Sequence, residues 1–349
     1  MHNIIKLFHL KILRLFVSVD EFGKKSSSAE DDDPWNKYFN SQFSSSKTKS
    51  CVNCNVEAGN SQYYLEECNF FDDKDRVIDF NPVSNSLFLH NLCSFSNCTS
   101  SGDGSCICFI GSDSSIVQRK FCCTKCQSQT KGHFSNTEMK TDNINFFIES
   151  SLYDVGKEGV GQDALRAISG NIIVSSTNFS SNKANYLPVG KFECKTRKYT
   201  TTINYTTVVN NLATEDQTIS IWYNALIDSC NIINNTTTQS VNGIIYHQEN
   251  SLTVKSCSFI NNTAAQGSYL IYHGIDQLTV DSCYIDNSTS STFLRNVEPT
   301  NPRELFTNKL IHFSTDNCQV EIAIINKSIS KVNKLSLFLQ TLVNISNSS

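Results

Sequence analysis

The chain has 349 residues, a formal net charge of −4 and 18% charged side chains, so it lacks the basic surface that nucleic-acid binding requires. Five prolines and 14 glycines are too few for a linker-like disordered chain, while 22 Phe and 12 Tyr favour pleated, half-buried strands. No run of about 18 apolar residues occurs, which leaves no helical transmembrane span.

At the start, Ile4 to Val19 is largely apolar, but Lys6, Lys11 and Arg14 interrupt it. The longest unbroken piece, Leu15 to Val17, is too short for the apolar core of a clean signal peptide. The stretch reads as an amphipathic helix or a degenerate signal. Residues 20–50 are polar, with an acidic run from Glu30 to Asp33 and two serine runs, and read as a flexible connector. Residues 1–60 are therefore expected to be an N-terminal extension, partly helical or disordered, ending in Cys51-Val-Asn-Cys54.

From residue 61 to 320 the chain repeats. Ala225 to Asn235 (ALIDSCNIINN), Leu252 to Asn262 (LTVKSCSFINN) and Leu278 to Asn287 (LTVDSCYIDN) place Cys230, Cys257 and Cys283 at intervals of 27 and 26 residues. Taking that cysteine as the head of the repeat, earlier heads fall at Cys68, Cys93, Phe121 or Cys122, Ser151, Thr177 and Thr206. Two residues after the head stands an apolar residue, such as Phe179, Ile232, Phe259 or Ile285, and four or five after it an asparagine. Five and three before it stand apolar pairs: Phe146 and Ile148, Ile172 and Val174, Leu252 and Val254. Each pair alternates as a strand does, and the two pairs are out of phase by one residue. The polar dipeptide between them, Lys255-Ser256 in one repeat, is expected to bend the chain.

A further strand lies upstream, in Ile244 to His247 and in Gly267 to Gly274 (GSYLIYHG), which matches Gly104 to Gly111 (GSCICFIG). Three short strands in roughly 25 residues make one coil of a stacked solenoid. The fold expected is all-β: a right-handed parallel β-helix of about nine coils, with residues 321–349 as a C-terminal tail. Stacking puts equivalent side chains in ladders along the axis at about 4.8 Å.

The Cys-x-Phe-x-Asn-Asn of Cys257 to Asn262, with relatives at Cys93, Thr177 and Cys230, resembles the Phe-x-x-Asn repeats of polymorphic membrane proteins. It is similar above all to the large cysteine- and asparagine-rich right-handed β-helix surface proteins of protist parasites. That resemblance implies a cell-surface protein, commonly followed by a Pro/Thr-rich stalk and a membrane anchor. After Cys318 the sequence shows neither, as a truncated or degenerate copy would not.

The ladder of Cys230, Cys257, Cys283, Phe179, Ile232, Phe259 and Ile285 is expected to be core, because free cysteine is among the most buried residue types. Cys51, Cys54, Cys98 and Cys126 are candidates for disulfides. A Cys₄ zinc site made from Cys51-x-x-Cys54 and Cys123-x-x-Cys126 is a further reading of two of those pairs. Asp228, Lys255 and Asp281, with Glu149, fall at the bend; Asp228 and Asp281 could serve a polysaccharide-cleaving enzyme, or the row could be an alternating-charge ladder. His247 and His273 end equivalent strands and should stack. Fifteen cysteines and ten Asn-x-Ser/Thr sequons point to an extracellular or cell-surface location. Asn178, Asn204 and Asn326 are the glycosylation candidates, since sequons at the turn compete with an asparagine ladder. The sequence thus describes a non-enzymatic surface module presenting an extended face to another macromolecule, a glycan or a protein of a host or matrix surface, without cofactor, metal or catalytic residue. The alternatives are a carbohydrate-active lyase or hydrolase and a degenerate copy without a function of its own.

Overall fold

Two residues in each repeat decide how the chain folds. The computed structural model of the protein describes residues 33–310, apart from 45–46, 55–61, 81–84, 112, 141–142, 197, 240–241, 275–276 and 287–298. In it the residue just before each head adopts a left-handed backbone: Glu67, Leu92, Lys120, Glu149, Ser176, Tyr205, Ser229, Ser256 and Ser282. So does the residue four after it: Asp72, Asn97, Lys125, Asp154, Ser181, Asn210, Asn234 and Asn261. Left-handed residues turn a strand sharply, and asparagine and aspartate tolerate them best, which accounts for the amide-rich turn.

The bends divide each coil into strands that stack into three long parallel sheets, with two shorter ones of three and two strands at the turns. The first has ten strands and contains Leu252–Lys255 and its equivalents; the second has nine and contains Ser258–Ile260; the third has eight and contains Ile245–Gln248. Registers are continuous from coil to coil: Ala225 pairs with Leu252 and Leu252 with Leu278, while Ile232 pairs with Phe259 and Phe259 with Ile285. The eight strands of the third sheet give about eight turns of a parallel β-solenoid among the described residues, close to the nine expected. Leu252, Val254, Cys257 and Phe259 all point inward and are fully buried.

The described residues up to Phe43 and those from Ser44 onward belong to two separate compact units. In the first, Pro34–Phe39 is a short helix. Asp33 caps it, accepting from the Trp35 N–H at 3.2 Å, and proline occupies the first turn where its missing N–H costs nothing. The helix expected over residues 4–19 and the tail at 321–349 lie outside the described residues. In the second unit the stack starts before residue 61, because Thr48 and Lys49 already pair with Leu65 and Glu66. Among the described residues its last strand is Tyr284–Ile285; Thr300 then pairs in parallel with Asp281, and the residues after it cross back over earlier coils.

Two sequence alignments are one residue out. The head aligned with Thr177 is Ser150, not Ser151, since Ser151 pairs with Asn178. Asn145 and Phe147 therefore face inward, and Phe146 and Ile148 face outward. Likewise Cys108 stacks in the row of Tyr272, not of Ile271, so GSCICFIG is offset by one from GSYLIYHG. In both places apolar residues stand on both faces of the strand, and a one-residue slip exchanges inside for outside without breaking the pattern.

Candidate functional site

Except at Phe121, which packs on Phe134, the head position is an inward hydrogen-bonding post. The Cys257 thiol donates to the carbonyl of Lys255 at 3.1 Å and to that of Ile227, one coil away, at 3.7 Å. Its sulfur accepts from the backbone N–H of Cys230 at 3.4 Å, and the Cys283 sulfur does the same for Cys257. Ser150 repeats this with a hydroxyl, donating to Ile148 and accepting from the Phe121 N–H; Thr177 and Thr206 donate to Ser175 and Asn204. The left-handed bend withdraws these backbone groups from the regular ladder, and buried backbone polar groups need partners. The interchange of Cys, Ser and Thr thus reflects one requirement: a small side chain that can both donate and accept.

The asparagine ladder stands five residues after the head. Asn182, Asn211, Asn235 and Asn262 are buried. The Asn211 amide donates to Asn235 Oδ1 at 2.9 Å and the Asn235 amide to Asn262 Oδ1 at 3.0 Å; each also donates to a core-strand carbonyl, Phe179 and Val208 respectively. The sequon residues Asn97, Asn234 and Asn261 stand one position earlier, at the left-handed residue, and are exposed. Ladder and sequon therefore coexist on adjacent residues, where the sequence reading had set them against each other. Asn235, itself a sequon, is on the buried side. Asn178 and Asn204 are half-buried on the sheets, and Asn178 bonds Ser151 and Ser180. Asn326, like Asn287, Asn344 and Asn347, lies outside the described residues.

Among the cysteines, Cys51 and Cys54 are joined by a disulfide, and Cys122 is also disulfide-bonded. Cys98 and Cys126 are free, buried thiols. Cys123 and Cys126 are not brought to Cys51 and Cys54; their sulfur neighbours are Cys98 and Cys106. His247 and His273 stack inside the core with ring centroids 5.0 Å apart and their Nδ1 atoms 2.9 Å apart. His247 Nε2 donates to the Tyr223 carbonyl at 2.6 Å, so its Nδ1 accepts from His273. Both rings are committed to packing.

Asp228, Lys255 and Asp281 form one outward row as expected, but Glu149 belongs to the bend one position on, so Ile148 takes its place. The Asp281 carboxylate is occupied: Asn301 donates to it at 2.9 Å, Ser282 at 3.2 Å and Thr300 at 3.3 Å. These donors, Asn301 foremost, outweigh slight desolvation and hold it below the usual carboxylate range. The residues beyond it continue across neighbouring coils, where Ser258 donates to the Phe306 carbonyl at 2.6 Å and Asn308 exchanges two hydrogen bonds with Asn231 at 2.9 Å. Asp281 anchors this strap and is not half of an open carboxylate pair.

A concave feature lies on the third sheet. Arg166, Lys191, Ser220, Tyr246 and Tyr272 form one outward row, and Ile168, Glu193, Trp222 and Gln248 the next. Of these, Arg166, Lys191, Ser220, Trp222 and Tyr246 floor a groove of about 520 Å³ walled by Gln162, Asp163, Tyr186, Asp216, Gln217 and Asn242. Tyr246 and Tyr272 stack at 5.4 Å, and Lys191 lies 4.8 Å over the Trp222 ring. Asp163, 1% exposed, faces Arg166 at 3.5 Å through one carboxylate oxygen, while the other has no hydrogen-bond partner. Burial pushes its carboxyl up to about 6, against the pull of Arg166 and Lys191. An under-satisfied carboxyl with two cations and an aromatic floor is a ready-made polar recognition site. The sequence signal for it was present: Ser220, Tyr246 and Tyr272 recur at 26-residue intervals between inward residues.

Comparison with known proteins finds no family model that matches the chain and no curated protein that matches it in sequence.

Proposed function

We propose that this protein is a secreted or cell-surface binding module without catalytic activity, and that the groove on the third sheet holds an extended glycan. The observation that carries this reading is the composition of that floor. Trp222 and Tyr246, each with one ring face already covered by Lys191 or Tyr272, offer their remaining aromatic surface to the apolar faces of sugar rings, while Asp163, Arg166 and Asn242 surround them with donors and acceptors. Aromatic side chains with a polar rim suit ligands that are apolar on one face and hydroxylated at the edge. A solenoid extends such a site along its axis, since each coil contributes the same position again. The Cys51–Cys54 disulfide and the exposed sequons at Asn97, Asn234 and Asn261 fit an extracellular setting. So does the likeness of the repeats to protist surface β-helix proteins.

A glycan array probed with the full-length chain tests the reading. Retention of a polysaccharide class, lost in Trp222→Ala and Tyr246→Ala, is the expected result; an array without any retained glycan counts against it. The carbohydrate-cleaving alternative moves to the same groove, because a carboxyl that titrates near 6 beside Arg166 has the profile of a general acid. New reducing or unsaturated ends released by wild type and abolished in Asp163→Asn would establish that reading instead.

A further inference from the structure

We propose that Cys98, Cys106, Cys123 and Cys126 form a tetrathiolate site for a zinc ion, held between two adjoining coils inside the solenoid. Two ligands come from each coil. Cys98 and Cys126 occupy the same position of successive repeats, five after the head, in the turns that follow Ser94–Ser96 and Cys122–Thr124. Cys123 faces inward two after the head, in the row of Phe95 and Leu152. Cys106 reaches across from the start of the third-sheet strand Ile107–Gly111.

The sulfur atoms of Cys98, Cys106 and Cys126 all lie within 4.8 Å of one another, and the Cys123 thiol is in hydrogen-bond contact with those of Cys106 and Cys126. Tetrahedral zinc thiolate sites hold sulfur at about 2.3 Å from the metal, which places the sulfurs roughly 3.8 Å apart, within the range of Cys98, Cys106 and Cys126; Cys123 stands outside that group and completes the tetrahedron by a shift towards Cys98. All four residues are at most 1% exposed. Burial pushes the Cys106 and Cys123 thiols up, as it does any thiol with no cation to neutralise it. At Cys126 the same push is outweighed by the neighbouring thiols of Cys106, Cys123 and Cys98, which lower it.

Zinc suits this arrangement better than disulfides do. Stacked side chains of successive coils run parallel, a poor geometry for a bond between Cys98 and Cys126. A disulfide also satisfies sulfurs in pairs, whereas Cys106 and Cys126 each contact the other three. Binding forms four Zn–S bonds and breaks four S–H bonds; the four protons leave to solvent and no electron is transferred. The spacing Cys98-x₇-Cys106 with Cys123-x₂-Cys126 joins the second half of the zinc reading of the sequence to a different first half. The site does not depend on what the third-sheet groove binds.

The test is metal analysis of the full-length chain produced with zinc in the medium and desalted before measurement. The expected content is about one zinc per chain, as a closed structural site requires. It should be lost in Cys106→Ser and kept in Cys283→Ser, a thiol of the head ladder, with circular dichroism confirming the β-solenoid in both. Cobalt in place of zinc should give thiolate-to-metal charge-transfer bands in the wild type that Cys106→Ser lacks. Should Cys106→Ser fail to fold, the wild-type thiols decide: with zinc bound they resist alkylation, and denaturation with a chelator and no reductant frees all four. A wild-type chain without zinc, zinc retained in folded Cys106→Ser, or four thiols unreactive without reductant overturns the proposal. The last of these outcomes identifies two disulfides.

Discussion

The N-terminal and C-terminal coils share one backbone path and fill it differently. Up to about residue 155 the interior is aromatic and sulfur-rich: Phe70 stacks on Phe95, Phe80 on Phe88 and Phe109, and Phe121 on Phe134, with His90 among them. The position five after the head is Cys98, Cys126 and then Val155. From residue 172 the interior is mainly aliphatic, and that position becomes Asn182, Asn211, Asn235 and Asn262, joined by amide hydrogen bonds. The first half closes its turns with clustered thiols and packing, the second with a polar wire. Packing tolerates many shapes and holds register loosely in the sequence; a wire demands the same residue in every coil.

Acid should separate the halves most strongly. His90 and His133 are buried in the N-terminal coils, and burial pulls both down to about 4. The unfolded chain titrates near 6.5, so between 6.5 and 4 it binds more protons than the folded one. Stability is therefore full above this window and lost as pH falls through it, by about 3 kcal/mol for each histidine. Hydrogen exchange at pH 7 and 4.5 should show the N-terminal coils opening first; uniform loss along the stack would erase the distinction.

Next in size is Asn211→Ala, which strands the N–H of Asn182 and the carbonyl of Phe179 in the core. About 3–5 kcal/mol should be lost on denaturant unfolding, against less than about 1 for Asn210→Ala on its exposed neighbour. Asp163→Asn should stabilise. Its carboxyl is raised from 3.8 to about 6, so the folded chain gains stability below 3.8 and loses it as pH rises through 6. Removing it should yield about 2–3 kcal/mol at pH 7 and almost nothing at pH 4. The smallest effect discriminates best at the head: Cys257→Ser keeps donor and acceptor and should cost about 1 kcal/mol, while Cys257→Val, apolar and similar in size, should cost about 2–3. Equal costs would mean that the head needs only a small volume.

These contrasts explain what could be read in the sequence. The coil and its strands were legible from Cys230, Cys257 and Cys283 because alternation and period coincide there. The registers at Ser150 and Cys108 were not, because neighbouring residues are apolar on both faces. The asparagine ladder was visible as a residue type but not as a position, since Asn234 and Asn235 are adjacent and only backbone conformation tells the turn from the interior. The groove escaped because its residues come from coils 20–80 positions apart and stand on faces that an inward-looking repeat ignores. Cysteine spacing paired Cys98 with Cys126 as disulfide candidates and Cys123 with Cys126 as half of a zinc site; that all of them meet Cys106 at one point shows only when adjoining coils stack.

The proposed division of labour has residues repeated inside the coil hold the stack and the outer face of the third sheet bind a ligand. Its most direct test is a calorimetric titration of the glycan best retained by the wild type into Trp222→Ala/Tyr246→Ala. The division predicts an unchanged β-solenoid spectrum and unfolding midpoint, with affinity reduced about tenfold or more, as loss of roughly 1.4 kcal/mol of contact requires. Undiminished affinity in the folded double variant would contradict it.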